Sequence, residues 1–219
     1  MHGFDLHGHG RSEGPRALVR SPEQFLDDVD MFLERILLTS DVPSFLFGHS
    51  MGGAIVALHA IERRPNVRGV LLSGAATLGR RGRWFQRLLV ATLARVAPRI
   101  GMFELDAATI SRDEEVVGRY DGDPLVYRGK IRAGMLWTMV RMQERIAKGA
   151  GRFDHAALIM HGTDDRLVSK EASVSFHRDV ASSDKTLLLY DGLYHEILNE
   201  PERDQVLADM IAWMDERLR

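Results

Sequence analysis

The chain has 219 residues, 45% of them hydrophobic and 27% charged, with a formal net charge of -2 and no cysteine. That length holds one domain with a sizeable core and crowds a second, and the composition excludes a disordered or fibrous chain. A near-neutral charge balance carries no nucleic-acid signature, and the missing cysteines exclude disulfides, thiol catalysis and thiolate metal sites. The opening run MHGFDLHGHGRSEG lacks the basic start and apolar stretch of a signal peptide, and no later run reaches transmembrane length. The sequence therefore predicts a soluble, cytoplasmic protein.

Short apolar runs alternate with helical periodicity, which is how a parallel sheet covered by helices reads, so the expected fold class is α/β. The first predicted strand is Gly3 to Leu6. It leads into Asp5-Leu6-His7-Gly8-His9-Gly10, where two histidines and an aspartate invite a metal reading. Their spacing matches no metal signature, and a glycine-rich turn at a strand end accounts for them, so no metal is expected. His2-Gly3 has the letters of an oxyanion loop but stands too close to Asp5 to serve as one. A helix follows, with Ser21 as cap, Pro22 at the first helical position and Gln24 where a capping box puts its partner. Phe25, Val29, Phe32, Leu33 and Ile36 form its core face.

The second strand, Ser44 to Phe47, runs into Gly48-His49-Ser50-Met51-Gly52. The next helix, Gly53 to Arg64, is apolar nearly all round and ends at Pro65, so it should be buried. Gly69 to Ser73 is the third strand. At about 77–153 the strand rhythm gives way to helical patterns and loops, read as a helical cap inserted into a single domain spanning 1–219. Its first helix, Trp84 to Ala97, sets Phe85, Leu88, Leu89, Leu93 and Val96 on one face, with Arg80, Arg81, Arg83, Arg87, Arg95 and Arg99 in or beside it. One reading is a basic lid that touches membranes or lipid aggregates. The expected one packs the apolar face on the body and leaves the arginines solvated. Ala157 to His161 and Thr186 to Tyr190 complete the strands, and a final helix, Asp204 to Leu218, directs Val206, Leu207, Met210, Ile211, Met214 and Leu218 toward the sheet.

The chemistry centres on Ser50. A serine hydroxyl is a poor nucleophile at neutral pH; it needs a base beside it and donors for the oxyanion that forms when it attacks a carbonyl. Gly-x-Ser-x-Gly between a strand and a buried helix supplies a turn so sharp that glycine is expected at both flanks, and the helix start makes the Met51 amide the first oxyanion donor. In this arrangement the acid and then the histidine follow the serine, each on a loop after a later strand. His177 falls in a helical stretch, whereas His195 follows the strand Thr186 to Tyr190 and the turn Asp191-Gly192, so His195 is taken as the base. Asp164 and Asp165 both follow the strand Ala157 to His161. Asp165, which precedes Arg166-Leu167, is preferred, although spacing alone does not separate the neighbours; the other aspartate can cap a helix or face water.

Taken together, Asp5-Leu6-His7-Gly8-His9-Gly10-Arg11-Ser12-Glu13-Gly14, Gly48-His49-Ser50-Met51-Gly52-Gly53-Ala54, Gly162-Thr163-Asp164-Asp165-Arg166-Leu167 and Tyr194-His195 resemble, in this order, the monoacylglycerol lipase and lysophospholipase-type α/β-hydrolases, of the serine aminopeptidase S33-like kind. Ile110-Ser111-Arg112 and Tyr120-Asp121-Gly122-Asp123-Pro124-Leu125-Val126 resemble that family's cap segment. The resemblance spans essentially the whole chain and implies an α/β-hydrolase fold with Ser50 as nucleophile, Asp165 as acid and His195 as base. It implies hydrolysis of the ester of a monoacylglycerol or lysophospholipid through an acyl-enzyme. The mechanism requires no cofactor, the charge balance points to no nucleic-acid partner, and the lid reading of the cap helix would add transient peripheral contact with a membrane surface. A general carboxylesterase, an aminopeptidase-like enzyme and a non-catalytic remnant are the alternatives. Members of the family carry further strands and a His-Gly oxyanion loop ahead of the Asp-x-x-Gly-His-Gly segment, which here begins at Asp5. The N-terminal part of the sheet and the second oxyanion donor are therefore expected to be absent.

Overall fold

The computed structural model describes residues 1–37, 42–78 and 84–219. Along them run α1 (Pro22–Leu37), β1 (Phe45–His49), α2 (Ser50–Glu62), β2 (Gly69–Ser73), α3 (Trp84–Val96), β3 (Gly101–Phe103), α4 (Glu114–Gly122), β4 (Ile131–Arg132), α5 (Ala133–Gly149), β5 (Ala157–Gly162), α6 (Glu171–Asp179), β6 (Lys185–Tyr190) and α7 (Arg203–Glu216). Four strands form one parallel sheet in the order β1-β2-β5-β6, and β3 pairs antiparallel with β4.

The central strands are buried on both faces, and side chains alternate between them with the period of two that a pleated strand imposes. Val70, Leu72, Ala157 and Ile159 join the core that Phe25 and Leu26 of α1, Ile55 and Leu58 of α2, and Met142 and Ile146 of α5 build on one face. Leu71, Leu158 and Met160 meet Leu193, Ile197, Val206 and Trp213 on the other. Each large side chain fully removed from water contributes about 1.5–3 kcal/mol. Polar ties hold the helices of the first face in register. The ring of His59, buried in α2, lies 2.7 Å from Asp30 of α1. Arg145 of α5 donates to Glu62 of α2 at 2.9 Å and also bonds Glu23 of α1.

Several expectations change. Gly3 to Leu6 is not a strand, because its polar groups are taken by the turn that follows: the Asp5 carbonyl accepts from Ser12 Oγ at 2.5 Å and the Leu6 carbonyl from His9 N–H at 2.9 Å. Gln24 accepts from the N–H of Arg20, one residue upstream of the expected cap. Within 77–153 the β3–β4 pair appears, its strands too short for any periodicity to register. On α7, which ends at Glu216 short of Leu218, Val206 and Trp213 are buried while Leu207 and Ile211 are exposed; Trp213, edge-on to Phe45, is the anchor. The expectation that α3 packs its apolar face on the body is overturned. The helix lies against α5, and no residue of it is buried; Val90, Ala91, Leu93 and Ala94 are half-buried, while Trp84, Phe85, Leu88, Leu89 and Val96 are exposed. Arg80, Arg81 and Arg83 lie outside the described residues.

The segment before α4 is locked onto the loop after β6. Glu196 N–H donates to the Ile110 carbonyl at 2.8 Å, Ser111 Oγ to the Asn199 carbonyl at 3.0 Å, and Arg112 N–H to Glu200 at 2.7 Å. The Arg112 guanidinium also bonds Glu200, whose side chain has no exposed surface, and Glu202. Removing one partner strands a buried charge. Arg112→Ala should therefore cost about 3 kcal/mol in urea unfolding, the lower end of the range for such pairs because the arginine is partly exposed. A loss below about 0.5 kcal/mol, the size of a surface pair, would contradict this role.

Candidate active site

β1 ends at His49 and α2 begins at Ser50, with no residue between them. Ser50 has φ 53°, in the left-handed region that a side chain disfavours, a strain of about 1–3 kcal/mol that the surrounding packing must hold. The turn is tight on one side only. A Cβ on Gly48 would stand 2.5 Å from the Gly52 carbonyl oxygen, whereas one on Gly52 would meet nothing within 4 Å. Glycine is thus required sterically at the first flank and not at the second, contrary to the expectation for both.

The Ser50 side chain meets His195, far along the chain, and His195 in turn meets Asp165. Ser50 Oγ lies 2.7 Å from His195 Nε2, and His195 Nδ1 lies 2.6 Å from Asp165 Oδ2. His195 stands on the loop after β6, and the chain just before it passes so close to the end of β5 that a side chain at Gly162 would run into the carbonyls of Leu193 and Tyr194. Asp164 is exposed and contributes its N–H to the Leu193 carbonyl at 3.0 Å, while the neighbouring Asp165 side chain has no exposed surface. His177 stays on α6. Met51 follows Ser50 in the first turn of α2. His49 at the cap makes no side-chain capping bond, so it does not compete with an incoming oxyanion for the amides there.

The electrostatics suit proton transfer. Burial alone would push the Asp165 carboxyl up, but hydrogen bonds from His161 and His195 outweigh it and hold the group well below the usual carboxylate range. Asp165 Oδ1 also accepts the Leu167 and Val168 N–H groups, at 2.8 and 2.9 Å. An ionised Asp165 takes the Nδ1–H of His195 and leaves Nε2 free to accept from Ser50. The ring of His49 lies 4.7 Å from that of His195, with Nδ1 3.1 Å from Ser73 Oγ; burial, then the neighbouring His195, push its pKa down to about 3. His49 is therefore neutral where a second positive ring would oppose the imidazolium.

Sequence reasoning named Ser50, Met51, Asp165 and His195 and passed over His49 and His161. A histidine at the end of an otherwise apolar buried strand, four residues before Asp165, was the available signal for His161. The Asp5 to Gly10 segment is a turn: the Asp5 carboxylate accepts from Arg11 N–H at 2.8 Å and His9 Nδ1 donates to the His7 carbonyl at 3.0 Å. Among the described residues no three His, Asp or Glu side chains form a metal-holding group.

The sequence family described as serine aminopeptidase, S33 matches residues 1–202. A monoacylglycerol lipase of Mycolicibacterium smegmatis is 35% identical over 220 residues, covering 98% of this chain and 77% of that protein. A phospholipase of Bacillus subtilis is 32% identical over 222 residues, covering 97% and 83%. The crystal structure of a Paleococcus ferrophilus monoacylglycerol lipase superposes with a TM-score of 0.87 at 30% identity, covering 98% of this chain and 82% of that one.

The site generates two checks on stability. His49 binds its proton only near pH 3 when folded but near 6.5 when unfolded, so the unfolded chain holds more protons in between and stability falls as pH drops through that window. His49→Gln should flatten the decline of Tm over this range, and an unchanged slope would count against the buried neutral ring. Gly48→Ala should lower Tm sharply, whereas Gly52→Ala should leave it level or raise it by relieving a helical glycine. Equal losses in both would contradict the one-sided turn.

Proposed function

The chain belongs to the serine aminopeptidase S33 family of hydrolases, with the α/β-hydrolase fold, and from that premise we propose that Ser50 is the nucleophile of a carboxylic ester hydrolase acting on monoacylglycerols. The observation that carries the proposal is the unbroken relay Ser50 Oγ to His195 Nε2 at 2.7 Å and His195 Nδ1 to Asp165 Oδ2 at 2.6 Å. His195 takes the Ser50 proton as Oγ attacks the ester carbonyl, and the Met51 N–H stabilises the oxyanion. The imidazolium, stabilised by the ionised Asp165, then gives its proton to the departing alkoxide, so glycerol leaves and the acyl-enzyme remains. Water, deprotonated by His195, attacks that ester and releases the fatty acid, and Ser50 regains its proton. The chemistry runs on these three side chains, the Met51 amide and water.

The substrate class rests on the monoacylglycerol lipase and phospholipase relatives and on α3. Trp84, Phe85, Leu88 and Leu89 expose an apolar surface with Arg95 and Arg99 nearby, the pattern of a helix that touches a lipid interface. No helix among the described residues is long and apolar enough to cross a membrane, so the contact proposed is peripheral. Residues 77–153 are proposed to act as the cap over the acyl chain, within a single domain.

Initial rates on a monoacylglycerol, a lysophospholipid, a short-chain ester and an aminoacyl amide test the reading. The monoacylglycerol should lead, and preference for the amide would overturn the ester assignment. Asp165→Asn should lower kcat by about 10⁴ with the fold intact, because the wrong histidine tautomer is then favoured. A variant within tenfold of the parent would remove Asp165 from the relay.

A further inference from the structure

Four donors converge on the Asp165 carboxylate, and one belongs to a residue the mechanism does not use. Leu167 and Val168 N–H occupy Oδ1, His195 Nδ1–H occupies Oδ2, and His161 Nε2 stands 3.1 Å from the same Oδ2. These four donors exhaust the acceptor capacity of the carboxylate. His161 is the penultimate residue of β5, and neither its side chain nor that of Asp165 has any exposed surface.

The state of the His161 ring follows from its partners. Nε2 is 2.9 Å from the Val168 carbonyl, which can only accept, so Nε2 carries the hydrogen and directs it to that carbonyl, with Asp165 Oδ2 beside it at 3.1 Å. Nδ1 is 2.7 Å from Ser173 Oγ on α6 and accepts its hydroxyl proton in the neutral ring. Both nitrogens are thereby committed and the ring cannot turn. Val168 enters twice, with its N–H on Oδ1 and its carbonyl on His161, so the loop closes a ring of hydrogen bonds around the carboxylate. The titratable groups nearby are His195, His49 behind it, and Glu171 at the start of α6.

We propose that His161 is a positioning residue for the acid of the relay: its Nε2–H, held between the Val168 carbonyl and Asp165, aims Oδ2 at His195 and keeps a solvent-free carboxylate ionised. The inference rests on reading Ser50, His195 and Asp165 as one catalytic relay. Two amide donors fix Oδ1 but leave Oδ2 with only the moving partner, His195, whose own proton is in play during the reaction. A second, static donor on Oδ2 removes that freedom. It also supplies part of the stabilisation that outweighs burial at Asp165.

The test compares pH–rate profiles on a monoacylglycerol for the parent, His161→Gln, His161→Leu and, as control, Ser50→Ala. Glutamine can place an N–H where the imidazole has one, and leucine cannot. In His161→Leu, kcat should fall by about tenfold to a hundredfold with KM within about twofold, as expected for a charged acceptor losing one donor. The acidic limb should also move to higher pH, because an Asp165 short of one donor is a stronger acceptor for the His195 Nδ1–H and favours the imidazolium that cannot act as base. His161→Gln should restore the limb and most of kcat. An unmoved limb in His161→Leu, or matching profiles for the two variants, reduces His161 to packing and overturns the proposal. Parental activity in Ser50→Ala would instead sink the relay reading itself, so the two failures are distinguishable. Should His161→Leu not fold, nitrogen-15 NMR of the parent decides: the Nε2–H tautomer is required, and an Nδ1–H tautomer overturns the proposal.

Discussion

A carboxylate with no exposed surface has to be kept ionised, and the loop after β5 is organised around doing so at Asp165. Burial works against the charge, and four donors from two backbone amides and two imidazoles reverse that effect. Everything downstream depends on the result. In the proposed mechanism an ionised Asp165 selects the tautomer of His195, that tautomer presents Nε2 to Ser50, and only then does the serine hydroxyl become a useful nucleophile.

The sheet supplies the second half of the arrangement. Parallel strands end on the same side, so the ends of β1, β5 and β6 bring together residues that are far apart in the chain. At β1 the change from strand to helix happens between His49 and Ser50, and Ser50 absorbs the cost in a left-handed backbone conformation. The buried α2 and the sheet beneath hold that strain, and a neutral His49 packs beside the His195 ring without adding charge. Stability and electrostatics are linked at this point: the residues at the turn also set the surroundings of the His195 ring.

Much of this was legible in the sequence, for physical reasons that differ by element. β2 and β5 read correctly because strands buried on both faces are continuous apolar runs, and α2 because its apolar residues circle the helix. Chain order and loop position were enough to select His195 over His177. Gly3 to Leu6 misled, since an apolar alternation cannot tell whether a partner strand exists. On α3 the amphipathic pattern was real, but periodicity does not say whether an apolar face meets protein or solvent, and here it faces outward. The spacing left Asp164 and Asp165 unresolved; burial separates them, because one side chain is exposed and the other sealed. His161 stayed invisible because its role depends on Val168 and Ser173, contacts that no local pattern encodes.

The central claim is that Ser50 is activated by His195 within a folded site. It is tested most directly by treating the native chain with a fluorophosphonate and mapping the adduct by peptide mass spectrometry, alongside His195→Ala. A single adduct is expected on the peptide containing Ser50 in the parent, and none in the variant under the same conditions. Labelling of another residue, or no labelling of a chain that melts cooperatively, would contradict it.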